Sequence, residues 1–299
     1  MVNQTSSESW RIVVLTNIMG GAVYRLVDSV ATSRGHRVVG VVTTPGPPKR
    51  RDDAYLSVVQ AVRPGVDTIV TSHPSRIAAM IAPMRPDLLI SGGFPWLLPE
   101  SVRMAPRVAA INMHPSLLPR HRGPQSIPWV FRSGDTEIGL TVHMLDGSFD
   151  TGPILVQGSV PIEISDDAMS MLGRLIDATP EILNQAFARL EQGERGDPQD
   201  ESLATEAPTF EPEWRLVDWQ QPALAIHNQV RSWTGMRGTE HGAFANIRGR
   251  TVNITRTNLT DKPGGRSNAQ PGDILEEATD RLIVQCGDGP LEVLAWSVE

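Results

Sequence analysis

Asn112, His114 and Asp150 carry a carboxamide, an imidazole and a carboxylate. Placed together, such groups can polarise a carbonyl, stabilise an oxyanion and move a proton. Asn112 and His114 stand two apart at the end of the apolar run Val108 to Met113 (VAAINM). On a strand, residues i and i+2 face the same side, so both side chains project from one face at that strand's C-terminal end. Open α/β sheets bind ligands at that end. Asp150 follows a second strand-like segment, Ile138 to Met144, on a glycine-bearing loop. Each residue alone has a plainer reading: a turn cap for Asn112, a structural imidazole for His114, an Asx-turn for Asp150.

Elements able to hold these groups recur along the chain. Arg11 to Leu15 (RIVVL) reads as a buried strand. A Gly20-Gly21 turn then opens a helix with apolar Val23, Leu26, Val27 and Val30 at i, i+3, i+4, i+7, ended by Gly35. With Arg37 to Thr43 as the next strand, this is a βαβ opening and predicts a parallel sheet. G-x-G-x-x-G is absent, so the glycine turn is not a dinucleotide fingerprint. Helices are expected over 53–62 and 75–84, and strands over 68–70 and 88–91. The strand Leu88 to Ser91 leads into Gly92-Gly93-Phe94-Pro95-Trp96-Leu97-Leu98-Pro99, an apolar loop that either walls a flat aromatic ligand or packs the core. A helix from Pro124 to Phe131 uses Pro124 in its first turn, and Ile154 to Val160 reads as a strand. A long helix from Ala168 to Leu190 should kink or divide at Pro180.

The polar, acidic stretch Gln192 to Ala207 marks a domain boundary, giving an α/β domain over 1–205 and a second domain over 206–299. The second domain opens with a short helix marked by Ala223, Ile226, Val230 and Trp233. Five short strands follow, with a hairpin turn at Cys286-Gly-Asp-Gly289, which suggests a small barrel of the OB kind.

Bulk composition excludes several classes. The chain has 299 residues, 40% hydrophobic and 20% charged, ordinary values for a globular protein. A net charge of −7 gives no general basic footprint for nucleic acid. One cysteine, Cys286, excludes an internal disulfide and suits a reducing, cytoplasmic setting. No apolar run approaches the ~18 residues of a membrane span, and the start (MVNQTSSESWR) lacks signal-peptide character. The basic run Lys49 to Arg51 reads as a solvated loop tip.

Asn112-Met-His114, the loop Ser116-Leu-Leu-Pro119 with Gly123, and Asp150-Thr-Gly152 together resemble, in order and spacing, the active-site region of the folate-dependent formyltransferases. The set is specific because several short motifs must coincide. The resemblance runs from about Arg11 to Leu190 and more loosely through the C-terminal third. It implies a Rossmann-like formyltransferase domain with a mostly parallel sheet, an OB-like C-terminal domain, and 10-formyltetrahydrofolate as formyl donor. It further implies that Asn112, His114 and Asp150 are catalytic. Phe94, Trp96, Leu97, Leu98, His143, Leu145, Asp146 and Gly147 would border the pterin, and Ser116, Arg122, Gly123 and Gln125 would shape the acceptor side.

In that reading Asn112 and His114 supply donors to the oxyanion, each worth about 10²–10³-fold in kcat. Asp150 orients His114 and helps accept the amine proton. Ser116 lacks the G-x-S-x-G context of a nucleophile. His121 and His143 lack zinc-site spacing, so no metal is expected. For the acceptor, Arg122-Gly-Pro-Gln and the short basic run favour a small-molecule amine or hydroxylamine, such as an amino sugar, an amino acid or a siderophore precursor. Three alternatives stay open. The first is methionyl-tRNA formyltransferase, with tRNA disfavoured by the acidic chain. The others are a formyltetrahydrofolate hydrolase and a catalytically silent folate-binding protein. The C-terminal domain is open to two uses, holding the acceptor or supporting a homodimer.

Overall fold

The computed structural model describes residues 8–47, 52–235, 242–260 and 268–298. Residues 1–7 and the basic run Lys49 to Arg51 lie outside the described residues. The chain divides into two compact units, Met1–Gly123, Gly139–Ser159 and Ile176–Glu206 in one, and Pro124–Ile138, Val160–Leu175 and Ala207–Glu299 in the other.

Strands β1 (Arg11–Thr16), β2 (Arg37–Thr43), β3 (Asp67–Val70), β4 (Leu88–Gly92), β5 (Ala109–His114), β6 (Glu137–Met144) and β7 (Ile154–Pro161) form one sheet in the order β3-β2-β1-β4-β5-β6-β7. The order 3-2-1-4-5 is that of a doubly wound nucleotide-binding sheet. Pairing is parallel from β3 through β5. Helix α1 (Ala22–Ser33) makes the first crossover, followed along the chain by α2 (Ala54–Ala61), α3 (Ile77–Ile81) and α4 (Glu100–Arg103). The central strands are mostly apolar because both faces are covered: Ile12, Val13, Leu88, Leu89 and Ile111 are fully buried. One core cluster joins Val13, Leu15, Val42, Ile77, Ile81, Leu89 and Leu98.

Parallel pairing ends at β5, since β6 runs antiparallel to it, with Asn112 opposite His143 and His114 opposite Thr141. One helix starts later than expected, and another stays whole across its internal proline. Helix α5 covers Ser126–Arg132, so Pro124 precedes it and Pro128 occupies the first turn, where a missing N–H costs nothing. Helix α6 (Ala168–Glu191) runs through Pro180 without dividing. The single lost donor is outweighed by a buried stripe that includes Met171, Leu175, Leu183 and Phe187.

In the second unit, α7 (Ala223–Ser232) packs on α5 and sets Ile226 and Val230 against a five-stranded antiparallel sheet. That sheet is ordered β10 (Ile274–Glu277), β11 (Leu282–Gln285), β12 (Pro290–Val298), β9 (Arg250–Leu259) and β8 (Ala243–Ile247). Strand number matches an OB-like domain. Among the described residues β8 pairs with β9 and β10 with β11, and the two outer strands are not paired with each other. Cys286 N–H donates to Gly289 O at 2.7 Å, closing the expected hairpin. No helix among the described residues is long and apolar enough to cross a membrane.

Candidate active site

The site is built on the facing ends of β5 and β6. Asn112 and His114 share a face of β5 through the two-residue strand period. Antiparallel register then places His143 directly across from Asn112, close enough for side-chain contact. Asn112 Nδ2 lies 3.2 Å from His143 Nε2 and donates to Asp150 Oδ1 at 3.3 Å. His114 Nδ1 stands 3.4 Å from the same Asp150 oxygen. Asp150 Oδ2 accepts the Gly123 N–H at 2.9 Å. The three groups singled out from the sequence therefore converge on one carboxylate, at a non-glycine residue with φ +58°. Aspartate tolerates that left-handed conformation better than most side chains.

Carbonyl partners assign the ring tautomers. His114 Nε2 faces the His121 carbonyl at 2.9 Å, so Nε2 carries the proton and Nδ1 is the basic atom. His143 Nδ1 faces the Met144 carbonyl at 2.9 Å, which leaves its Nε2 to accept from Asn112. Burial holds His114 below the ordinary imidazole range, against the opposing pull of the Asp150 charge and the His121 carbonyl. Burial also acts to raise Asp150, but the His143 ring, the His114 ring and the Gly123 N–H outweigh it and hold the carboxyl below its usual range. Near neutral pH the site thus carries one carboxylate beside a neutral, proton-accepting imidazole.

Other residues named from the sequence are spread more widely. Phe94 and Trp96 meet edge to face with centroids 5.7 Å apart. Leu97 is exposed, while Leu98 is buried in the core. Their loop leaves β4 at Gly92, which pairs with Met113. Leu145 packs on the core cluster. Asp146 closes its own turn: Thr151 Oγ1 donates to both of its oxygens at 2.8 Å, and Ser148 N–H donates to Oδ1 at 3.1 Å. Gly147 is exposed in that turn.

On the expected acceptor side, Ser116 is fully buried and its hydroxyl donates to Arg120 O at 2.7 Å. Gln125 belongs to the second compact unit, where its side-chain oxygen accepts the Phe210 N–H. The Arg122 side chain is 6% exposed and pairs with Glu201 at 2.7 Å.

Sequence reasoning missed Thr141, Gln157 and Gln199. Thr141 Oγ1 donates to Ser116 O at 2.7 Å and receives bonds from Leu118 N–H and Gln157 Nε2, which pins the Ser116–Gly123 loop to β6. Its two-residue offset from His143 was the available signal. Gln199 carried none, lying in a polar stretch.

The formyl transferase family model matches residues 10–187, and the model of the formyl transferase C-terminal domain matches residues 210–298. Methionyl-tRNA formyltransferase of Geobacter metallireducens is 34% identical over 278 residues, 89% of this chain and 85% of that protein. The enzyme of the same name from Pelobacter propionicus is 33% identical over 264 residues, 86% of this chain and 80% of that protein. A solved N-formyltransferase from Helicobacter canadensis, in complex with folinic acid and dTDP-3-aminofucose, superposes with a TM-score of 0.69. It covers 97% of this chain and 100% of its own at 15% identity, a likeness of fold.

These relatives overturn the preference for a small-molecule acceptor. That preference rested on two local features, the Arg122-Gly-Pro sequence and a short basic run. Similarity to the tRNA enzymes extends across both matched regions and outweighs them. The chain belongs to the formyl transferase family.

Proposed function

We propose that this enzyme moves a formyl group from 10-formyltetrahydrofolate to the amino group of methionine carried on tRNA. The observation that carries the reading is identity of 34% over 89% of the chain to a methionyl-tRNA formyltransferase. The site supports it. Exposed Leu97 and half-buried Phe94, Trp96 and Leu145 offer the apolar surface a flat pterin requires, at the end of the strand that adjoins Asn112 and His114. When bound, the folate supplies an activated one-carbon unit, so the protein's share is binding, orientation and proton handling.

Attack of an amine on a formyl carbon gathers negative charge on oxygen and leaves a surplus proton on nitrogen. His114 Nδ1 takes that proton, and Asp150 Oδ1, 3.4 Å away, stabilises the imidazolium that results. The imidazolium then returns the proton to the donor nitrogen as its bond to the formyl carbon breaks, so tetrahydrofolate leaves as a neutral amine and His114 is regenerated. Asn112 Nδ2 is spent on His143 and Asp150. It exchanges the long 3.3 Å bond to Asp150 for one to the reacting oxygen. The reverse amide orientation would set oxygen against a carboxylate, so Asp150 also fixes which end of Asn112 presents.

The test incubates the purified protein with 10-formyltetrahydrofolate and charged methionyl-tRNA, a panel of free amines, or no acceptor, and reads products by mass. Formylmethionine on tRNA is the expected product. Formylation of free amines with none on tRNA, or release of formate without an acceptor, would overturn the reading.

A further inference from the structure

The polar stretch after α6, which reads as a linker, is bonded to both loops that carry the site. Asp197 exchanges two backbone hydrogen bonds with Ile154, at 2.8 and 2.9 Å. Gln199 Nε2 donates to the carbonyls of Asp150 and Gly152, both at 2.8 Å. Its Oε1 accepts from Arg122 Nε at 3.2 Å and Nη2 at 2.7 Å. Arg122 also forms a two-point pair with Glu201, at 2.9 and 2.7 Å. The Arg122 N–H donates to Thr205 O at 2.9 Å, and His121 N–H to Thr205 Oγ1 at 2.9 Å.

Two features of the site depend on these contacts. Asp150 holds a positive φ, which costs even an aspartate some free energy that surrounding contacts must offset. Gln199 grips the carbonyls of Asp150 and of Gly152, two residues on. The residue after Arg122 is Gly123, whose N–H binds Asp150 Oδ2. One side-chain amide therefore joins the backbone of the Asp150 turn to the neighbour of the donor that the Asp150 carboxylate accepts.

We propose that Gln199 is a positioning residue that sets the Asp150 carboxylate against His114, and that Arg122 orients Gln199 instead of contacting an acceptor. The inference rests on the formyl-transfer reading above for its kinetic arm only. Its other arm reads the His114 ring directly and holds whatever the acceptor proves to be.

The experiment compares Gln199→Ala, Gln199→Glu and Arg122→Lys in the full chain. Gln199→Glu keeps the shape and the Arg122 partner but lacks both donors to the loop carbonyls. Gln199→Ala should lower kcat by about 10²-fold, the cost of a displacement near 1 Å, with KM for the formyl donor and the thermal midpoint close to wild type. Titration of the His114 ring by nitrogen-resolved NMR should move to lower pH, because the Asp150 charge that raises it has shifted away. Gln199→Glu should reproduce both effects and carries the test if the alanine variant does not fold. Arg122→Lys, which loses the planar two-point grip, should fall between them and the wild type. Wild-type kcat with an unmoved His114 titration would overturn the proposal. So would a loss of kcat accompanied by a lower thermal midpoint while His114 titrates normally, since that pattern marks a structural role alone. Absence of formyl transfer to tRNA, with the His114 shift present, would remove the acceptor reading and leave this one standing.

Discussion

Nδ1 of His114 faces Oδ1 of Asp150 at 3.4 Å, while the other ring nitrogen is committed to the His121 carbonyl at 2.9 Å. The neutral ring therefore meets its proton on the side of the carboxylate. Burial keeps His114 below the usual imidazole range, so the acid limb of kcat/KM should lie below the unperturbed value of about 6.5. Asp150→Asn removes the charge that raises His114, so that limb should move to still lower pH, with kcat reduced by about 10²–10⁴-fold. A pH–rate series on both proteins checks this. An unmoved limb would disconnect the two residues.

His143 separates two roles for one position. From the sequence it was expected to border the pterin, yet its Nε2 accepts from Asn112 and lies 3.6 Å from Asp150 Oδ1. His143→Leu leaves one N–H of the half-buried Asn112 carboxamide without its partner. That should lower kcat by about 5–100-fold, with KM for the folate little changed. A rise in KM at constant kcat would instead assign His143 to uniform binding of the donor.

The face shared by Asn112 and His114 is legible in the sequence because strand periodicity is local, set by alternation of side chains along one segment. The parallel pairing of β1 with β2 follows likewise from the βαβ opening. The antiparallel entry of β6 is not legible, since which strand it pairs with depends on contacts distant in sequence. That entry is what brings His143 onto Asn112. Gln199 shows the limit most clearly: polar composition marks solvent exposure, whereas its bond to the Asp150 carbonyl spans 49 residues. Leu98 and Arg122 show the converse, residues whose types suit a ligand but whose side chains are turned into the protein.

Stability should fall as pH drops below neutrality. His114 and His227 are both held below the ordinary imidazole range by burial, His227 against the raising effect of the Ile164 carbonyl. In the unfolded chain these rings gain protons as pH falls through about 6.5, while the folded rings stay neutral to lower pH. The unfolded state then binds more protons, so unfolding becomes easier. Asp150 acts in the same direction further down: its depressed pKa gives stability above the unfolded carboxylate range, lost as pH falls through the folded value. Urea midpoints followed from neutrality to about pH 5 should decline, and His227→Gln should flatten the slope. An unchanged slope in that variant would exclude His227 from the effect.

Gly152 gives the sharpest steric test of the Asp150 turn. A Cβ at this position would lie 1.9 Å from the Met144 carbonyl oxygen and 2.9 Å from its carbon. Both are backbone atoms, held in place because Met144 N–H donates to Pro153 O at 2.8 Å. No rotamer change relieves such a contact, so Gly152→Ala must displace the chain between Met144 and Pro153. The carbonyl of Gly152 is one of the two that Gln199 holds, and Asp150 lies two residues before it. The substitution should therefore cost at least about 2 kcal/mol in urea unfolding and take activity down with it. Gly147→Ala is the control, because nothing lies within 4 Å of a Cβ there, and it should keep near-normal stability. Equal stability of the two variants would mean that the loop reaches the same Asp150 geometry by another path, and the tight approach at Gly152 would not be what shapes it.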